Sequence, residues 1–272
     1  MAIDGLFCAR LAAELSSLAG AKIEKINQTG DEEIVLRLYG EGKRINLLLS
    51  ASRQNARACL CGDDIPPQSP VPTSFCMLMR KHLQNGRVVA VFAPENQRII
   101  CIDTESRDEL VYPCRRRIYA ELMGKYSNVL LTDIDNDKVL GALYQTDITF
   151  AARTVLVGLP YEAPPKQDKL APFSVGKEQF AALCEANSGR DSADFFLKTF
   201  LMFSPLTARE AAYRAGAAGK TVGECAAEKL WEGFISVLNA PTKPCRVLDG
   251  DGKAIAFSFI PLTQYGEGFK LI

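Results

Sequence analysis

Apolar residues at steps of three and four predict a helix near the start of the chain, over about Leu6–Leu18. One face of this helix is apolar and consists of Phe7, Leu11, Leu15 and Leu18. Asp4 is placed to cap its N-terminus and Gly20 to end it. A second helix is predicted over Ser74–Gln84, capped by Thr73 or Ser74, after a proline-rich loop from Ile65 to Pro72.

Short runs rich in Val, Ile, Leu and Tyr around these helices predict strands. They are Lys22–Asn27, Glu33–Leu38, Arg44–Leu49, Ala56–Leu60, Arg87–Ala93, Arg98–Thr104, Leu110–Tyr112, Ile118–Met123, Asn128–Asp133 and Val139–Tyr144. The connections between most of them are too short for crossover helices, so the strands are expected to form an antiparallel meander.

A linker is predicted between Pro160 and Pro172, where prolines alternate with polar residues. The pattern beyond it is helical, with short helices expected at Lys177–Ala186, Ser192–Phe203, Thr207–Gly216 and Val222–Asn239. The Ser204-Pro205 break and a capping box formed by Thr207 and Glu210 favour a helix-hairpin-helix arrangement. Such arrangements commonly offer backbone N–H groups to a phosphate.

The end of the chain returns to strand character. Cys245–Leu248, the turn at 249–252 and Ala254–Phe259 predict a hairpin, and a last strand is expected in Phe269–Ile272. Because a two-stranded hairpin is marginal alone, it is expected to pack back onto the N-terminal sheet. The sequence thus predicts an α+β protein in three parts: a mainly antiparallel β domain with two helices over 1–170, an inserted all-α helix-hairpin-helix module over 171–240, and the returning hairpin over 241–272.

Composition limits the kind of chemistry to expect. Lys and Arg number 32 and Asp and Glu also number 32, so any nucleic-acid site must come from a local patch. The nine cysteines are scattered and odd in number, which is typical of buried thiols in a reducing compartment. With a single histidine, His82, no metal site and no cofactor are expected.

The beginning of the chain has no basic segment followed by an apolar one, so it does not read as a signal peptide. No apolar run approaches the length of about 18 residues that a membrane-spanning helix needs. These patterns predict a cytoplasmic protein without a membrane partner.

Several short blocks occur in a fixed order along the chain: Asp4–Phe7, Lys22–Gln28, Leu47–Ala51, Pro72–Leu83, Tyr119–Asn128, Arg153–Leu156 and Ser204-Pro205. Together they resemble the N-terminal half of the RqcH/NEMF family of ribosome-associated quality-control factors. The resemblance covers nearly the whole chain. It also implies that the β domain is similar to the N-terminal fold of formamidopyrimidine-type DNA glycosylases.

The resemblance implies a factor that binds large ribosomal subunits blocked by peptidyl-tRNA. Bacterial members recruit alanine-charged tRNA and support untemplated addition of alanine to the stalled chain, while the ribosome supplies the peptidyl-transfer chemistry. The family also carries a coiled coil and a further C-terminal RNA-binding domain. No sustained heptad pattern is present here.

Two candidate tRNA contacts come from this resemblance. Members of the family usually have an Asp-Arg pair where this chain has Gln97 and Arg98, so the arginine is kept and the acid is lost. Glu121, Leu122 and Met123 match another stretch that the family uses for tRNA. The alternatives are a solvated charge at a strand end for Arg98, and a half-buried strand with one solvated acid for Glu121.

A basic run supplies a third candidate. Arg115, Arg116 and Arg117 are consecutive, and Lys125 lies beside Tyr126 one hairpin further on. Basic groups near an aromatic ring suit a phosphate backbone with a stacked base. The alternative is a charged strand edge that keeps other strands from pairing.

Catalysis is not expected from this chain. The glycosylases use a proline followed by a glutamate directly after the initiator methionine, and this chain has Ala2 and Ile3 there. His82 is the only histidine available to a Ser-His or Cys-His pair, and the phosphate-loop motif is missing. The competing hypotheses are an RNA-binding translation factor, a DNA-processing protein, and a surface adhesin for fibronectin or fibrinogen, a label often given to relatives.

Overall fold

The computed structural model describes residues 3–62, 69, 71–108, 110–146, 153–266 and 269–271. The chain divides into two compact units, one built from Leu11–Lys166 with the residues before Asp4, the other from Asp4–Arg10 and Gln167–Ile272. Some residues used in the sequence predictions lie outside the described part: Ala2, Pro66, Pro67, Pro70 and Ile272.

The first unit contains a nine-stranded antiparallel sheet in the order β4-β3-β2-β1-β5-β6-β7-β8-β9. The strands are β1 Lys22–Gly30, β2 Glu33–Gly40, β3 Lys43–Ser50, β4 Arg57–Cys61, β5 Arg87–Phe92, β6 Ile99–Arg107, β7 Pro113–Glu121, β8 Asn128–Asp133 and β9 Lys138–Ala142. The predicted meander is confirmed. Its two halves join through the single residue pair Lys22–Arg87 of β1 and β5.

The prediction of separate strands at Leu110–Tyr112 and Ile118–Met123 is wrong, because one strand, β7, runs from Pro113 to Glu121. Its polar half continues the strand because each arginine there meets a partner on a neighbouring strand or turn. Leu110 and Tyr112 instead belong to a turn, since the Asp108 carboxylate accepts both of their backbone N–H groups at 2.9 and 2.8 Å.

Helix α2, Ser74–Leu83, fills the interior of the first unit. Its N-terminus is capped as predicted, with Thr73 Oγ1 accepting from Cys76 N. Its inward residues Cys76, Met79 and Leu83 are fully buried. Gly141 of β9 permits this close approach, because a Cβ there would lie 2.6 Å from a methyl of Leu78.

The second unit contains helices α3 Lys177–Ala186, α4 Ser192–Thr199, α5 Pro205–Arg214 and α6 Ala227–Leu238, together with the first residues of α1, Gly5–Leu15. Its core is a cluster of aromatic rings: Phe180, Phe195, Phe196, Phe200, Phe203 and Phe234. Gly233 brings α6 against α5, because a Cβ there would lie 2.4 Å from the carbonyl oxygen of Ala211.

The predicted C-terminal hairpin is present, and its strands group with the helices of the second unit. Among the described residues, β10 Cys245–Leu248, β11 Ala254–Ser258 and β12 Lys270–Leu271 form their own three-stranded sheet within the second unit. The buried face of the hairpin packs against Leu206 of α5, and β12 adds the third strand that a lone hairpin lacks.

The predicted capping box of Thr207 with Glu210 is also wrong. The box pairs Ser204 with Thr207 at the start of α5. Glu210 is fully buried and binds the Arg214 guanidinium at 2.7 Å, and it also accepts the backbone N–H of Thr263 at 3.0 Å. It therefore ties α5 to the chain that follows β11.

Asp4 joins the start of α1 to the start of α5. One carboxylate oxygen accepts the Phe7 N–H at 2.8 Å, which confirms Asp4 as the cap of α1. The other accepts the hydroxyls of Ser204 and Thr207 at 2.7 and 2.9 Å. The Asp4 carboxylate therefore lies at the N-terminus of α5, where a phosphate would otherwise bind. This helix N-terminus is not a free phosphate site.

Candidate nucleic-acid interface

Three loops of the first unit lie next to one another. They are residues 51–56, 93–98 and 122–127, and we call them together the loop surface. The backbone N–H of Leu122 donates to the carbonyl of Arg98 at 2.8 Å, which links the second loop to the third. Gly124 lies beside the first loop, with its Cβ position 4.0 Å from the carbonyl oxygen of Arg53.

The loop surface carries unpaired positive charge. Among the described residues, Arg53, Arg98 and Lys125 make no ion pair and no side-chain hydrogen bond. Arg53 and Lys125 are exposed, and Arg98 is half-buried. Glu95 is the one acidic residue in these three loops, which carry three cations, so the loops themselves are basic in a protein that is neutral as a whole.

Most of the residues that sequence reasoning took from the family motifs lie here. Gln97 and Arg98 stand directly before β6, and Leu122 and Met123 directly after β7. Leu122 is buried, Gln97 and Met123 are half-buried, and the two pairs are neighbours across the β6–β7 register, in which Ile99 pairs with Glu121.

The third loop is a tight, well-fixed turn. The Met123 N–H donates to Ser127 Oγ at 2.9 Å, and a 3₁₀ turn spans Gly124–Tyr126. Gly124 has a φ of +60°, a conformation that glycine adopts without strain. The turn presents Tyr126 with 70% of its surface exposed, and Lys125 Nζ lies 4.9 Å from the centre of its ring.

The carboxylate of Glu121 is not exposed to solvent, so the alternative of a solvated acid at this position is wrong. Its side chain is 1% exposed. Its two oxygens bind the Arg153 guanidinium at 2.7 and 2.9 Å, and one of them also accepts the Tyr161 hydroxyl at 2.9 Å. A carboxylate buried this deeply needs such partners, and the segment after residue 152 supplies them.

That segment lies on the sheet through stacked side chains. The Tyr161 ring stacks on Tyr119 with centroids 3.8 Å apart, and the Arg153 guanidinium lies 5.1 Å from the Tyr161 ring centre. Burial raises the pKa of Tyr161, and the charge of Glu121 raises it further. Burial alone would lower the pKa of Arg153, but its hydrogen bonds to Glu121 outweigh that effect and raise it. Tyr161 therefore stays protonated and Arg153 stays charged at neutral pH.

The predicted basic run is not a free positive patch. Arg115 pairs with Asp135, Arg116 pairs with Asp133 at 3.2 Å, and Arg117 binds both oxygens of Asp103 at 2.6 and 2.8 Å. Arg117 also stands four residues before Glu121 on β7, about 13 Å away along the strand. The basic run therefore lies along β7, away from the loop surface, and the three carboxylates largely balance its charge.

The described residues hold no group of three or more His, Cys, Asp or Glu side chains arranged to bind a metal ion. All nine cysteines are unbridged. Burial raises the pKa of the Cys101 thiol to about 12 and that of Cys184 to about 11, so these thiols stay protonated at neutral pH. None of the described helices has the length and apolarity needed to cross a membrane.

The family profile described as NFACT N-terminal and middle domains matches residues 4–271. The chain therefore belongs to the NFACT family. The Rqc2 homolog RqcH of Bacillus subtilis (strain 168) is 32% identical over 222 residues, which cover 81% of this chain and 39% of that protein. The Rqc2 homolog RqcH of Streptococcus pneumoniae serotype 2 is 30% identical over 278 residues, covering 99% of this chain and 46% of that protein. The chain thus spans less than half the length of these relatives.

Solved structures share this fold. The fibrinogen binding protein from Staphylococcus aureus has a TM-score of 0.83 and 29% identity, with 100% of this chain and 95% of that chain covered. The N-terminal part of the fibronectin/fibrinogen-binding protein from Streptococcus suis has a TM-score of 0.80 and 26% identity, covering 97% of this chain and 92% of that chain. The α+β class predicted from the sequence is confirmed.

Sequence reasoning missed three residues that matter to this region: Arg53, Arg153 and Tyr161. Arg53 stands in a short polar loop, Ser52–Asn55, that no motif distinguished. Arg153 begins one of the family blocks and Tyr161 follows that block, but neither residue was given a role. No local sequence pattern marks Arg153 as the partner of Glu121, because the two residues lie 32 positions apart in the chain.

Proposed function

We propose that this chain is the N-terminal part of a ribosome-associated quality-control factor. In this proposal the protein binds tRNA and obstructed large ribosomal subunits carrying peptidyl-tRNA, and it supports untemplated alanine tailing of stalled nascent chains in the cytoplasm. The role is one of binding and positioning, with the ribosome as catalyst. Tailing as a whole also requires the parts that the longer relatives contain.

The observation that carries the proposal is the unpaired cationic loop surface. A cation that already binds a carboxylate gains little from a phosphate. An unpaired cation that contacts a phosphate displaces the counterions of the RNA, which favours binding. Arg98 and Lys125 are free in this sense. Of the basic run, Arg115 is the best candidate for an additional phosphate contact, because its side chain stays 58% exposed while paired. The side chains of Arg116 and Arg117 are 11% and 27% exposed.

Gln97 changes the character of the family's Asp-Arg pair. An acid beside Arg98 would orient the guanidinium through a charge-assisted hydrogen bond. Glutamine offers only neutral hydrogen bonds, and the Arg98 side chain makes no hydrogen bond to it among the described residues. In this proposal Arg98 meets RNA with its full charge, and tRNA selectivity depends more on neighbouring contacts.

Arg98→Ala is expected to weaken binding to tRNA or to large subunits about tenfold while stability stays within about 0.5 kcal/mol. The physical reason is that a half-buried, unpaired cation supports RNA binding more than the fold. The dependence of log Kd on log salt should become shallower by about 0.7 to 0.9, the value of one phosphate contact. Co-sedimentation of the full-length protein with large subunits at several salt concentrations measures both effects, and sequencing of the bound RNA identifies the tRNA.

Arg107 provides a matched control for Arg98. It is exposed, makes no ion pair among the described residues, and lies at the opposite end of β6, about 30 Å from Arg98. Arg107→Ala should leave binding unchanged. Equal losses in both variants would point to nonspecific charge attraction, and a loss of folding in Arg98→Ala alone would mark Arg98 as structural.

The second candidate function is fibrinogen or fibronectin binding, the property for which the two proteins of similar structure are named. Nine unbridged cysteines favour a reducing compartment over an extracellular one. Binding of the full-length protein to immobilised fibrinogen, unaffected by Arg98→Ala and with no affinity for large subunits, would favour this alternative.

A further inference from the structure

We propose that Tyr126 is a stacking platform for one unpaired nucleobase of the bound RNA, with Lys125 and Arg53 contacting the adjacent phosphates. The inference rests on the proposed function and gives it a defined subsite. The chemistry is shared by an unpaired base of tRNA and one of ribosomal RNA, and the two sources are separated below.

The first argument is the exposure of the ring. Tyr126 is 70% exposed on a turn whose other apolar residues, Leu122 and Met123, are buried and half-buried. Its hydroxyl makes no hydrogen bond to the described residues, so the side chain contributes little to the fold. An aromatic ring held in solvent by a rigid turn is a surface that a base can cover.

The second argument is that the turn is already in place before a ligand binds. Ser127 Oγ holds the Met123 N–H, the Ser127 N–H donates to the Gly124 carbonyl at 3.0 Å, and the Leu122 N–H donates to Arg98. A ring on so fixed a backbone loses little conformational entropy on stacking.

The third argument is the charge around the ring. Lys125 Nζ lies near the ring, 4.9 Å from its centre, and the backbone of Arg53 borders Gly124. Residues 51–56 and 122–127 contain no acid. A stacked base places its phosphates beside its sugar, so a lysine at the ring and an arginine on the neighbouring loop suit a nucleotide better than an uncharged protein pocket.

Tyr112 shows why exposure alone is insufficient. It is 65% exposed at the opposite end of β7, but it stands beside Asp108, whose carboxylate holds the turn. It therefore has the exposed ring without an unpaired cluster of cations, and it serves as the matched control.

The test uses the full-length protein and its variants Tyr126→Leu, Tyr126→Phe, Arg53→Ala and Tyr112→Leu. Affinity is measured separately for purified tRNA and for large ribosomal subunits, each over a range of salt. Wild-type binding to at least one of the two RNAs is established first, because its absence would overturn the proposed function itself.

Tyr126→Leu is expected to weaken binding about tenfold with no change in salt dependence, because stacking releases no counterion. Tyr126→Phe and Tyr112→Leu should bind within twofold of wild type. Arg53→Ala should weaken binding and flatten the salt dependence by about 0.7 to 0.9. A loss confined to tRNA assigns the base to tRNA, and a loss confined to subunits assigns it to ribosomal RNA.

Three results would overturn the inference. One is equal affinity of Tyr126→Leu and wild type for both RNAs. Another is a loss in Tyr126→Phe as large as in Tyr126→Leu, which would make the hydroxyl the contact. The third is ultraviolet crosslinking of Tyr126 to a ribosomal protein instead of RNA. Thermal unfolding of each variant checks that the substitution has not altered the fold.

Discussion

Glu121→Ala is expected to lower the free energy of unfolding of the first unit by about 3–5 kcal/mol. The substitution leaves the Arg153 guanidinium, whose side chain is 13% exposed, without its counter-charge. It also removes the acceptor of the Tyr161 hydroxyl. Denaturant unfolding followed by a probe in the first unit measures the loss, and the segment after residue 152 should lose hydrogen-exchange protection first.

Paired substitutions distinguish a structural role of Glu121 from direct contact with RNA. Glu121→Leu with Arg153→Met replaces the buried ion pair by apolar groups of similar size, which is often close to neutral for stability. If Glu121 acts by holding Arg153 and Tyr161, this double variant recovers both stability and RNA binding. Recovery of stability without recovery of binding would mean that the Glu121 carboxylate itself contacts RNA.

The position of Glu121 explains how it can affect binding without touching RNA. Leu122 and Met123 follow it directly, and the Leu122 N–H is bonded to Arg98. A disturbed Glu121 would therefore shift the turn that carries Lys125 and Tyr126. A drop in RNA affinity for Glu121→Ala is expected on this ground and is no evidence of contact by itself.

Local sequence patterns were sufficient for most strands and helices. The strands β1 to β4 and the helices α2 and α3 were predicted within a few residues, because alternation, caps and turn residues are properties of short segments. The motif residues Gln97, Arg98, Leu122, Met123 and Lys125 also fall on one surface. Their proximity follows from the β6–β7 hairpin, which brings the start of one strand beside the end of the next.

Properties that depend on distant partners could not be predicted. Three consecutive arginines read as a basic patch, but the register places Asp103 opposite Arg117 and Asp133 opposite Arg116. The surface that covers the hairpin at 245–258 could not be predicted, because its buried face gives no indication of the partner that it packs against. Burial of Glu121 depends on Arg153, which no periodic pattern connects to it.

Asp4→Ala is expected to destabilise the second unit by about 2–4 kcal/mol. The loss combines the cap of α1 with the buried hydroxyls of Ser204 and Thr207, which would keep no carboxylate acceptor. Hydrogen exchange of the amides of α5, compared between the variant and wild type, measures the effect. Asp4→Asn serves as control, because asparagine keeps the cap and should lose less.

The difference in the free energy of unfolding between Asp4→Asn and wild type should also depend on pH. Burial raises the pKa of Asp4 above its ordinary value of 3.8, against the hydrogen bonds from Ser204, Phe7 and Thr207, which lower it. The folded chain then holds this proton more tightly than the unfolded chain, so the stability of wild type falls as pH rises from about 4 through the native pKa of Asp4. Asparagine has no such proton, and its stability relative to wild type should rise over the same interval and then level off. A relative stability that falls with rising pH would mean that the helix N-termini and hydroxyls outweigh burial and lower the pKa of Asp4.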